Sequence, residues 1–165
     1  MHMRCPIWMV LTWLLWAAAC TSRGGDAPAG PRFVVLGAAV ARDARTGLEW
    51  TRHDDGVGLD WHKADAYCQS LTIDDARGWR LPDIEELRRL YDPTTRIPCG
   101  DATCAIDPVF TLTSPYVWSA TAQGQNARTY LDFQFGTQLT PTILPRLVRR
   151  VLCVRTFSIP GPGTA

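Results

Sequence analysis

Lysine is almost missing from this chain: Lys63 stands alone among 17 basic residues, and the rest are arginine. Arginine-favouring codon usage is the simplest account, although the guanidinium fork also suits bidentate contacts to anions. A charge excess is missing too. Apart from Arg4, the one charged residue before Cys20, the chain balances 16 basic against 16 acidic residues. That balance argues against a nucleic-acid binder, whose electrostatic footprint is a clear basic excess. No apolar run approaches the ~20 residues of a bilayer span, since the stretch Ile7 to Ala19 ends after 13. There is no C-x-x-C pair, His53 and His62 are isolated, and no G-x-S-x-G elbow occurs. Thiol redox catalysis, a cysteine-histidine metal centre and a serine hydrolase therefore have no support. No catalytic residue, cofactor or metal is expected.

What is there begins with a leader. Arg4, the short apolar run and the small residues before Cys20 have the order of a signal peptide. Leu15-Trp-Ala-Ala-Ala-Cys20 resembles a bacterial lipobox, with Ala17 where leucine is usual, and this implies acylation of Cys20. Ala17-Ala-Ala19 also satisfies the A-x-A rule for ordinary cleavage, which would leave a free thiol. Cysteine parity favours the first reading, because Cys20, Cys68, Cys99, Cys104 and Cys153 become an even four once Cys20 is lipidated. Residues 21–32, rich in glycine, proline and alanine, read as a flexible tether, and residues 158–165 as a loose tail. The expected location is the cell envelope, on the outer membrane, facing periplasm or exterior.

Residues 33–157 carry the pattern of one folded domain. Phe33 to Val40 reads as a strand, Asp43 to Gly47 as a turn, and Leu48 with Trp50 as the return of a hairpin. Asp60 is placed to cap a helix whose apolar positions Trp61, Ala64, Cys68 and Leu71 recur at helical spacing. Asp83 and Glu86 have capping-box spacing ahead of Ile84, Leu87 and Leu90, and Asp92-Pro93 stops that second helix. Later pieces are β-prone: Tyr116 to Trp118, Thr129 to Phe135 and Leu147 to Phe157. In the middle one, Tyr130, Asp132 and Gln134 alternate with Leu131, Phe133 and Phe135, as a strand with one buried face would. Early helices and late antiparallel strands predict an α+β domain, a small twisted antiparallel sheet with two short helices.

The segments DARTGLEW (43–50), W-x2-A-x2-YC-x2-L (61–71), GWRLPDIEEL (78–87), VWSAT (117–121) and VLCVR (151–155) stand in the order of a known family. Through them residues 40–156 resemble the C-terminal domain family of the Legionella collagen-like adhesin. The resemblance implies a C-type-lectin-like, disulfide-stapled fold and kinship with formylglycine-generating enzymes. Arg80-Leu-Pro82 and Leu152-Cys-Val-Arg155 look like segments of those enzymes, which use two cysteines spaced i and i+5. Here Val148 occupies the place of the earlier one, so the copper-binding pair is missing.

Four cysteines allow three pairings. Cys99 and Cys104 can close a small loop, leaving Cys68 on the first helix to meet Cys153 on the last strand. His53-Asp54-Asp55 with Asp60, and Asp101 with Asp107, lack the spacing of a recognised calcium loop and read as solvated turns. Sugar-binding E-P-N and W-N-D triplets are missing as well. Of the domain's tryptophans, Trp50, Trp61 and Trp79 read as core. Trp118 differs, because Ser119, Thr121 and the Gln123 to Asn126 loop follow it, suggesting a ligand surface of Trp118, Ser119, Thr121 and Arg128. Arg146, Arg149 and Arg150 are placed to join it, and such a cluster suits acidic glycans. The expected protein is a non-catalytic binding or adhesion module on a lipid anchor, its partners the membrane and a glycan or surface protein. The alternatives are an oxidase of the formylglycine-generating type and a structural envelope lipoprotein.

Overall fold

The computed structural model describes residues 30–142 and 147–157. Cys20, the leader, residues 21–29 of the tether, the tail 158–165 and Arg146 lie outside these.

Both helices form where their local chemistry directs. Helix α1 (Trp61–Ser70) starts at Asp60, whose carboxylate accepts the Lys63 N–H at 3.0 Å, and it buries Ala64 and Cys68. Helix α2 (Ile84–Leu90) carries a complete capping box. Asp83 accepts from the Glu86 N–H at 2.7 Å, and Glu86 accepts from the Asp83 N–H at 2.8 Å. Arg80 grips the same glutamate with two bonds of 2.8 and 2.7 Å. Burial pushes the Glu86 carboxyl up. The Arg80 and Asp83 hydrogen bonds, with the charges of Arg80 and Arg89, outweigh that and hold it below its ordinary value of 4.5. Its stabilisation is then full above that value and is lost as pH falls through the lower, folded one. Glu86→Gln should flatten the acid limb of stability below about pH 4.5; urea midpoints between about pH 5 and 3 that fall as steeply as in the parent would contradict this.

Three antiparallel sheets surround these helices. Strands β1 (Phe33–Val35), β2 (Val40–Asp43), β3 (Leu48–Thr51) and β9 (Val154–Thr156) form one sheet in the order β1-β2-β3-β9. Strands β4 (Ile97–Cys99) and β5 (Ala102–Cys104) make a hairpin, and β6 (Tyr116–Gln123), β7 (Ala127–Asp132) and β8 (Thr137–Leu139) a third sheet. The single strand expected over Phe33 to Val40 is two. Gly37 turns the chain with φ of 120°, Phe33 pairs with Asp43, and Arg52 donates to the Gly37 and Ala38 carbonyls. Likewise Leu147 to Phe157 is laddered only over β9, while Arg149 and Arg150 make single bridges to Leu59 and Val117.

The core has two halves, and β6, β7 and the last segment run between them. Val117, Leu131, Leu152 and Val154 face a cluster with α2, Trp50, Phe110 and Phe133. Their neighbours Trp118, Tyr130, Val151 and Cys153 face another with α1, Trp79 and Leu81. Alternate residues point to opposite faces of a strand, and here both faces are dry. This corrects the alternation expected over Thr129 to Phe135. Tyr130 and Asp132 are buried with Leu131 and Phe133, the strand ends at Asp132, and Phe135 is 67% exposed. Each half carries one disulfide, Cys99–Cys104 in the first and Cys68–Cys153 in the second. In the short loop, Gly100 has φ of 62°, and a Cβ there would lie 2.5 Å from the Thr113 carbonyl oxygen, so only glycine fits.

Candidate binding surface

The four residues expected to present a ligand surface are occupied with building the fold. Trp118 is fully buried and donates its indole N–H to the Leu59 carbonyl at 2.8 Å. Ser119 is also fully buried; its hydroxyl accepts the Thr121 N–H, and its carbonyl accepts the Trp61 indole. Thr121 lies at the irregularity between Trp118 and Ala122, which breaks the β6–β7 ladder, and its hydroxyl accepts the first N–H of α2, from Ile84, at 3.0 Å. The bulge aims that hydroxyl at an orphan helix donor. Arg128 lays its guanidinium 4.3 Å from the Trp61 ring centre and donates to the Gly124, Gln125 and Ala127 carbonyls. Trp118 and Ser119 are thus core, not surface.

The aspartates also serve the frame, and Asp54 and Asp55 are not the solvated turn residues expected. Asp54, its side chain 2% exposed, accepts from the Thr113 N–H and hydroxyl, with Arg150 3.9 Å away. Asp55 accepts the Gly58 and Val151 N–H groups, at 2.7 and 2.8 Å. Asp107 accepts the Val109 N–H. Among the described residues no three histidine, cysteine or acidic side chains gather as a metal site, and no helix is long and apolar enough to cross a membrane.

Two of the expected arginines do meet at an open surface, on one side of Tyr116. A cleft of about 280 Å³ is lined there by Val57, Gly58, Ser114, Tyr116, Arg149 and Arg150. A second of similar size lies across Tyr116 and Ser114, reaching Asp101, Thr113 and Gln134. Tyr116 is 36% exposed, and its ring meets that of Tyr130 edge-on at 5.8 Å. The Arg149 guanidinium lies 5.1 Å from the first ring centre and 4.5 Å from the second, and it donates to the Tyr130 hydroxyl at 3.3 Å. Its Nε has no hydrogen-bond partner among the described residues. The double groove offers a ring to stack on, a guanidinium, and the side chains of Ser114 and Gln134. Tyr116 precedes the Trp118 segment singled out from sequence by two positions; nothing local told which of the two would face water.

Sequence reasoning also missed a charged triad on the four-stranded sheet. Glu49 is 1% exposed and sits opposite Arg42 on β2 and Arg155 on β9. Arg42 bonds it at 2.7 Å, and Arg155 bonds it through Nε at 2.7 Å. Arg42 stacks on Phe157 and Arg155 lies over Trp79. The pairing is cross-strand, 106 residues apart in sequence for Glu49 and Arg155, so no local pattern announces it.

This geometry is that of a small disulfide-stapled α+β module whose open surface is tyrosine and arginine. The model of the Lcl C-terminal domain matches residues 39–155, and the chain belongs to that adhesin-associated family. No curated protein and no solved structure matches the chain.

Proposed function

We propose that the protein is a non-catalytic binding module of the bacterial envelope, held by an acyl chain on Cys20, and that its ligand is an acidic glycan or a surface protein of like chemistry. The observation that carries this is the Tyr116 groove. A sugar ring can pack on the exposed part of the Tyr116 ring, while a carboxylate or sulfate takes the guanidinium of Arg149. Family membership supports an adhesive role at the cell surface. The oxidase alternative is disfavoured, since Cys153 is bonded to Cys68 and Val148 stands where the second thiol belongs.

The full-length chain carrying Cys20→Ser, on an array of neutral and acidic glycans, should retain acidic ones. Tyr116→Ala should weaken that retention about fivefold, because a packed aromatic face contributes on the order of 1 kcal/mol. Retention of no glycan, or equal retention by the variant, would remove the groove as the site.

A further inference from the structure

A cleft of about 520 Å³ opens where the tether joins the domain. Arg32, Arg45, Arg88 and Arg89 line it, against Asp92 and Asp107. Arg32 is held by the buried Asp43 at 2.8 Å, and Arg88 bonds Gln138, with Glu85 3.8 Å away. Asp92 is engaged with the Thr94 hydroxyl and N–H, and Asp107 with Val109. The Arg45 and Arg89 guanidinium groups make no hydrogen bond or salt bridge among the described residues, acting only at a distance on Asp92 and Glu86, and both residues are exposed. Next in the chain, the edge strand β1 exposes Val34 and Val35, 46% and 50% accessible.

Position decides between a soluble anion and a membrane. Arg32 is twelve residues from Cys20, so a fully stretched tether reaches only about 40 Å, and a flexible one averages about 20 Å. An acyl chain on Cys20 would bring this pole, where the tether enters, nearest the lipid headgroups at the tether's average length. Arg45 and Arg89, the two cleft arginines without an ion-pair or hydrogen-bond partner, answer an anionic leaflet, and an exposed valine of the neighbouring β1 edge answers its apolar boundary. A soluble anion needs neither the valine nor the tether exit.

We propose that the Arg32–Arg45–Arg88–Arg89 cleft docks anionic phospholipid headgroups and lays the domain's tether pole on the membrane. The proposal rests on acylation of Cys20, and its test keeps the two apart. The Cys20→Ser chain, which has no acyl group, should sediment with phosphatidylglycerol vesicles and not with phosphatidylcholine vesicles, and should be released by salt. Arg45→Gln with Arg89→Gln should weaken this partitioning about 25-fold, roughly fivefold per arginine. Both sites are exposed, so an unchanged melting curve will show that the fold is kept; the single variants, each about fivefold weaker, serve if it is not. Equal binding to both vesicles, binding indifferent to the arginines, or capture of soluble polyphosphate without vesicle binding would each overturn headgroup docking. Acyl mass on the wild-type chain, measured separately, decides the anchor whatever the vesicles show.

Discussion

Alanine at both Cys68 and Cys153 is expected to lower the stability of the domain by about 4 to 5 kcal/mol and its melting temperature by on the order of 15 °C. The bridge joins residues 85 apart, and its main effect is to deny the unfolded chain the freedom of that long loop. Both sulfurs lie in the second half of the core, at residues with no exposed surface, so lost packing adds to the loss. Alanine at Cys99 and Cys104, which closes only a five-residue separation, should cost about 2 kcal/mol on the same model. Thermal melts of the two pairs give the comparison. A short-loop variant that melts as low as the long-loop variant would contradict the entropic account.

Glu49→Ala should be the most damaging change among the charged residues of the sheet, at about 3 kcal/mol. It leaves Arg42 and Arg155, whose side chains are 32% and 21% exposed, facing each other without their shared carboxylate. Their partial exposure lets each turn to water, which keeps the cost at the low end for a broken buried pair. Arg42→Ala leaves Glu49 paired with Arg155 and should cost less, about 1 kcal/mol. Urea midpoints for the two variants measure this, and a loss below about 1 kcal/mol for Glu49→Ala would show that the triad contributes little to holding β2, β3 and β9 together.

The parts legible in sequence were those set by near neighbours. Asp60 and the Asp83–Glu86 box mark where the helices begin because a cap bonds N–H groups only two or three residues on. Cys68 reads as core-facing from helical spacing alone, and the two observed disulfides follow the expected pairing. What failed depends on distant parts of the chain. A strand wetted on one face alternates visibly, but β7 lies between two core halves, so Tyr130 and Leu131 are both apolar and buried. Trp118 looked presentable because polar residues follow it; in the fold Ser119 and Thr121 spend their polar atoms on their own backbone neighbourhood and on α2. The Tyr116 groove and the arginine cleft each combine segments remote in sequence, and no spacing rule connects them.

Strand β9 is the closing piece of the first sheet, pairing Glu49 with Arg155 and Trp50 with Val154, and Cys153 just before it carries the long bridge. These residues follow every other strand and both helices of the domain in the chain. Without them β3 is an open edge and the Cys68 thiol has no mate. One late segment thus serves as the latch of both the first sheet and the second core half, joining β3 on one side and α1 on the other.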